Sequence, residues 1–206
     1  MANHVYFNIE IDGLTEEQHE CLFKSEVTSR PHWIEGEDPI EYKELIDLHE
    51  QPFMSKVERT YDKDGWIEDS YNWYCFNIGA KWCHIEEWDY GMITGHSAWS
   101  HPVAMVENML EWASNQFNIE LSAKMTYEDE FRNFIGTCHF YFDEEVHYDI
   151  CEAENSDLID ELREVFGDAV DESGFDWYDL QKDLKGVERE PQEVFDDIVY
   201  AWFERN

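Results

Sequence analysis

Cationic side chains are scarce in this chain. Its 206 residues include 14 Lys and Arg against 49 Asp and Glu, a formal net charge of −35. A field of that sign repels nucleic acid and anionic membrane surfaces and attracts cations and basic protein surfaces, so a direct nucleic-acid binder is excluded. Long apolar runs are missing as well. None approaches the roughly 18 residues of a transmembrane helix. The opening, "MANHVYFNIEIDG", lacks the basic and apolar regions of a signal peptide, so a cytoplasmic protein is expected. Cysteines are few and odd in number (Cys21, Cys75, Cys83, Cys138, Cys151) and none forms a CxxC pair, which suits free thiols better than a disulfide framework.

Recognisable catalytic frames are also absent. There is no GxxxxGK[ST] loop and no GxSxG elbow, and no acidic run has the spacing of an EF-hand. The pairing of Gly79 and Lys81 in "WYCFNIGAKW" therefore does not read as a phosphate loop. Tyr71, Tyr74, Cys75 and Ile78 fall at roughly helical spacing, and Gly79 sits where a left-handed residue would end that helix.

What is present is a core. Hydrophobic residues make up 43% of the chain and aromatics 16%, enough to exclude a disordered acidic tail. "HVYFNIEIDG" alternates as a half-buried strand, and "LTEEQHECLFKSEV" reads as a helix capped by Thr15. Residues 29–39 read as a loop, "IEYKELIDLHE" as a helix, and "KVERTYDKDGWIEDS" as an exposed hairpin about Asp64-Gly65. "KWCHIEEWD" and "MITGHSAWS" predict a hairpin, and "HPVAMVENMLEWASNQF" a helix with Pro102 just inside its start and Val103, Val106, Met109, Leu110 and Ala113 on its apolar face. "NIELSAKMTY" follows as a strand, "EDEFRNF" as a loop or helical turn, and "IGTCHFYF" with "EVHYDIC" as a second hairpin. Strands with helices between them predict an α+β fold with a largely antiparallel sheet.

From about residue 153 the chain changes character. Residues 143–206 carry 22 acids and five bases, a net charge of −17, against −18 over the preceding 142 residues. "SDLIDELREVFGD", "FDWYDLQKDL" and "PQEVFDDIVYAWFERN" read as three short amphipathic helices. The expected organisation is a domain over 1–152, with an insertion at about 29–70, and an acidic helical extension over 153–206.

"NWYCFNIGAKW", "HSAWSHP", "KMTYEDEF" and "IGTCHFY", in that order, resemble the YubB-like proteins encoded on phages and conjugative plasmids. The likeness covers residues 71 to about 143. Ile78 stands where that family has tryptophan, Ala80 where it has threonine and His101 where it has the first proline of "WSPP". The resemblance implies a ferredoxin-like antiparallel sheet with helices on one face and an origin in a mobile element. It implies no activity.

Candidate chemistry is thin. Cysteine and histidine recur as close neighbours (His19 with Cys21, Cys83 with His84, Cys138 with His139, His147 with Cys151), but on a helix or strand such neighbours diverge, so no doublet chelates an ion alone. Glu128 to Glu130 and Asp143 to Glu145 read as places of loose cation condensation. Ser97 and Ser100 beside His96 and His101 read as caps and turn contacts rather than a hydrolase site. No catalytic residue, metal or cofactor is assigned. Trp66, Trp73, Trp82, Trp88 and Trp99 are expected in the core.

The acidic surface is the informative feature. In "SDLIDELREVFGD", Asp157, Asp160, Glu161, Glu164 and Asp168 recur every three or four residues opposite an apolar face, giving carboxylates about 5 to 6 Å apart along the axis. With Glu193, Asp196 and Asp197 they predict a nucleic-acid mimic that inhibits a host defence or nucleic-acid-processing protein by occupying its basic channel. The alternative is a module that binds a nucleotide-like ligand on its tryptophan-rich sheet, with Lys81 at the phosphate beside Trp82 and Trp99. Solvation by the acids alone is the plainest reading of the charge.

Overall fold

The structure, a computed structural model, describes residues 3–23, 48–65, 67–130, 134–154 and 191–206. Six antiparallel strands form one sheet: β1 (His4–Asp12), β2 (Lys81–Asp89), β3 (Met92–Ala98), β4 (Ser122–Asp129), β5 (Phe134–Asp143) and β6 (Glu145–Glu154), in spatial order β2-β3-β1-β4-β5-β6. Among the described residues the helices are α1 (Glu16–Glu20), α2 (Ser70–Asn77), α3 (Val103–Phe117) and α4 (Pro191–Arg205), with 3-10 turns at Leu48–Glu50 and Pro52–Met54. The α+β class expected from the sequence is therefore present.

Alternation decides which side chains meet. Val5, Phe7, Ile9 and Ile11 of β1 point to one face, where register aligns Phe7 with Tyr127 of β4, and Tyr127 with Gly136 of β5. Met105, Val106, Met109, Leu110 and Ala113 of α3 are buried in this core with Trp73 of α2 and Leu48, Phe53 and Met54 of the 3-10 turns. Met105 joins the predicted apolar stripe of α3, while Val103 packs only partly against the core.

β5 is buried from both sides. Gly136, Cys138 and Phe140 face the main core, and Ile135 and Thr137 are fully buried on the reverse face. That reverse face is where α4 docks. Lys124 Nζ donates to Phe203 O at 3.0 Å, His139 Nε2 donates to Asn206 O at 2.6 Å, and Cys151 donates to Asn206 Oδ1 at 3.4 Å. Helices thus lie on both faces of the sheet, with α4, from the segment expected as a helical extension, on the face opposite α3. The physical reason is that Ile135 to Cys138 of β5 are buried in succession, so the strand needs cover on both sides.

Local signals fared unevenly. Thr15 caps α1 in a capping box with Gln18, as its position predicts, but α1 stops at Glu20 and its chain turns through Cys21 instead of continuing as a long helix. Gly79 is a helix stop: it has φ of +90°, its N–H donates to Tyr74 O at 3.2 Å, and a β-carbon there would crowd the first turn of α3. Pro102 is the residue capping α3 rather than the first within it. The region about Asp64-Gly65 closes a turn but pairs only through a bridge between Tyr61 and Ile67, and Ile67 is buried rather than exposed. Of "EDEFRNF", Asp129 ends β4 and Phe134 opens β5. The helix expected over "IEYKELIDLHE" lies mostly outside the described residues, as do the first two helices expected after residue 153. No helix among the described residues is long and apolar enough to cross a membrane.

Candidate functional site

Lys81 and Trp82 open β2, and Trp99 directly follows the end of β3. Register pairs Lys81 with Ala98, and the next pair is His84 with His96, so β2 carries one extra residue across Trp82 and Cys83. This bulge puts Trp82 in the left-handed region, with φ of +47°, at the kind of position that bulges usually give to glycine. Trp99 is left-handed too, with φ of +66°. Each such residue costs on the order of 1 to 3 kcal/mol and persists only where the surroundings hold it.

The surroundings do hold it. Trp99 N–H donates to Asn3 O at 3.0 Å, Ser97 Oγ to Ser100 O at 2.5 Å and Ser100 Oγ to Gly79 O at 3.0 Å. The two serines are turn contacts, as their sequence context suggests.

What the strain produces is a group of exposed rings. Trp82 is 53% exposed, Trp99 51% and Tyr71, at the start of α2, 52%. The indoles of Trp82 and Trp99 lie 5.9 Å apart and are tilted by 41°. Lys81 Nζ stands 3.6 Å from the Trp82 ring centre, 4.5 Å from Trp99 and 4.8 Å from Tyr71. Three π faces hold one ammonium in place. The structure therefore brings together Lys81, Trp82 and Trp99 and adds Tyr71, which helical spacing alone had assigned to no site. It also corrects the expected core role of Trp82 and Trp99; Trp73 is buried, Trp88 packs partly against the core, and Trp66 lies outside the described residues.

Histidines gather on the reverse face of the sheet, away from the main core. The His84 and His96 rings lie 5.2 Å apart, and the His96 and His4 rings also 5.2 Å. His96 Nδ1 is 3.0 Å from Glu86 Oε1, and His4 Nδ1 is 3.7 Å from Glu130 Oε2. His84, His96 and His4 stand on the neighbouring strands β2, β3 and β1. Among the described residues no group of three or more His, Cys, Asp or Glu could hold a metal. In two of the three strand doublets the cysteine turns into the core: Cys83 is buried with its thiol pushed up by desolvation, and burial pushes Cys138 up to about 12, whereas Cys151 on β6 is exposed.

His101, instead of serving a hydroxyl, stacks on the Tyr127 ring at 3.8 Å between centres. Burial lowers it to about 4. Tyr127 donates its hydroxyl to Glu152 Oε2 at 2.9 Å.

The acids singled out in the sequence divide into two sets. Asp157, Asp160, Glu161, Glu164 and Asp168 lie outside the described residues. Glu193, Asp196 and Asp197 are exposed on α4, whose Val194, Ile198, Val199 and Trp202 are buried. Among the described residues, Lys56 pairs with Glu111 and Lys63 with Asp64, Arg59 donates to the carbonyls of His49 and Met54, and Lys124 donates to Phe203 O of α4.

No family model, no curated protein and no solved structure matches this chain.

Proposed function

We propose that the protein is an acidic interaction protein that mimics nucleic acid and occupies the basic channel of a nucleic-acid-binding protein. The observation that carries this reading is the polarity of α4. Its buried side fixes it to the sheet, and its outer side presents Glu193, Asp196 and Asp197, so carboxylates one helical turn apart, about 5.4 Å, are displayed on a rigid frame. Like charges at that spacing disfavour a helix by a few tenths of a kcal/mol per pair, a cost that packing of α4 on the sheet offsets. Association would be steered by the field of the net charge of −35 and would inhibit by occlusion, stoichiometrically and without a catalytic residue.

The strand order β2-β3-β1-β4, antiparallel throughout with α3 in the connection from β3 to β4, supports a ferredoxin-like reading of the first four strands, to which the β5–β6 hairpin is an addition. The likeness to YubB-like proteins supports an origin in a phage or plasmid and action in the cytoplasm of its host.

The test is a pull-down of host lysate at low salt, eluted with DNA and with stepped salt, using the native protein and a variant carrying Asp160→Lys, Glu164→Lys, Glu193→Lys and Asp197→Lys. A nucleic-acid-binding protein that DNA displaces from the native chain, and that the folded variant does not capture, supports mimicry. Equal capture by both chains overturns it.

A further inference from the structure

The group of rings about Lys81 is carried by α2, β2 and the turn after β3, at the β2 edge of the sheet, whereas α4 docks on β4 and β5, and the mimic has no use for it. Its parts suit a small ligand. Trp82 and Trp99 are held half in solvent by a bulge and by a loop tied at both ends, so their faces are fixed before anything binds. Lys81 is held over the same rings, so its ammonium is positioned rather than swinging on a free four-carbon stem.

We propose that Tyr71, Lys81, Trp82 and Trp99 form a binding site for a planar heteroaromatic ligand bearing one negative charge, of the nucleoside cyclic monophosphate class. An exposed indole stacks on a base without regard to its sequence, because every base has a π face. The ammonium meets the phosphate by a charge-assisted hydrogen bond. The surrounding charge selects the number of phosphates. One lysine in a chain of net charge −35 compensates a single phosphodiester, whereas a triphosphate or a polynucleotide adds charges that the whole surface repels. A base stacks on the indole surface left exposed beside Lys81. A cationic ligand, by contrast, would have to displace Lys81 from the rings.

The experiment follows the indole N–H signals of the nine tryptophans by NMR, with Trp82, Trp99 and Trp73 assigned from single Trp→Phe variants. The titrants are adenosine 3′,5′-cyclic monophosphate, guanosine 3′,5′-cyclic monophosphate, adenosine, inorganic phosphate and ATP, each to about 5 mM, a range that detects even millimolar affinity. Either cyclic nucleotide is expected to shift Trp82 and Trp99 while leaving Trp73, whose indole donates to Glu58 O inside the fold, in place. Adenosine and ATP are expected to bind about tenfold more weakly than the preferred cyclic nucleotide, and Lys81→Gln to weaken that nucleotide by about tenfold with the spectrum otherwise native. Absence of any shift with both cyclic nucleotides overturns the proposal. So does an unchanged affinity in Lys81→Gln, or a tighter response to ATP.

Discussion

The Tyr127 ring lies across Gly136 of the next strand so closely that a β-carbon at Gly136 would overlap it. The missing side chain is what lets the phenol reach over β5 to Glu152 on β6. Gly136→Ala should therefore destabilise the fold by roughly 2 to 4 kcal/mol, from overpacking together with a lost half-buried hydrogen bond. Urea unfolding measures this, and a change below about 1 kcal/mol would mean that the ring moves aside freely.

Acid should weaken the fold through His101. Its pKa is lowered from 6.5 to about 4 by burial, so between those values the unfolded chain takes up a proton that the folded chain refuses. The stability is present above pH 6.5 and lost as the pH falls toward 4, by at most about 3 kcal/mol. His19, lowered mainly by desolvation and partly restored by Asp89, acts in the same direction. His101→Phe keeps the stack on Tyr127 and should flatten the loss between pH 6.5 and 5 relative to the native protein. Parallel pH profiles for the two chains would count against this assignment.

Two tryptophans should respond oppositely to truncation. Trp73 is buried and donates its indole N–H to Glu58 O, so Trp73→Ala should cost about 3 to 5 kcal/mol. Trp99 is half exposed with φ of +66°, where asparagine is better tolerated, so Trp99→Asn should change stability by less than about 1 kcal/mol. Thermal unfolding of both variants checks the contrast; a large loss in Trp99→Asn would mark the ring as structural.

Salt should stabilise the protein. With a net charge of −35, unfavourable repulsion outweighs the few exposed ion pairs, and screening relieves it. Raising sodium chloride from about 20 mM to about 500 mM should raise Tm by several degrees. A fall would mean that attractive pairs dominate.

Thiol reagents should distinguish the cysteines. Cys21 and Cys151 are exposed and should react in the native protein, whereas Cys83 and Cys138, buried and with raised pKa values, should react only on unfolding. Mass spectrometry after brief labelling reads out each site. Fast labelling of Cys138 would show that the layer between the sheet and α3 opens readily.

The strands and their turns were legible in the sequence because periodicity and turn chemistry are local. Val5 to Ile11 alternate, Gly79 stands at a helix stop, and Tyr90-Gly91 separates two apolar segments, each within a few residues of the structure it produces. The acidity was legible too, since net charge needs no fold. The composition of the aromatic site was only half legible: Lys81, Trp82 and Trp99 could be named, but Tyr71 could not be joined to them, nor could two of the tryptophans be placed outside the core. Those facts depend on a one-residue bulge, which sends Trp82 outward, and on a register that sets Lys81 beside Ala98 across seventeen residues of chain. The position of α4 is of the same kind. Its apolar stripe is written in residues 194–202, but the face it covers was decided by β5, where Ile135 and Thr137 needed burial on the side that α3 leaves open. Composition and local pattern thus determined the class of fold and the sign of its surface, while contacts between distant segments, which alone bring side chains together across strands, decided where a ligand or partner could be met.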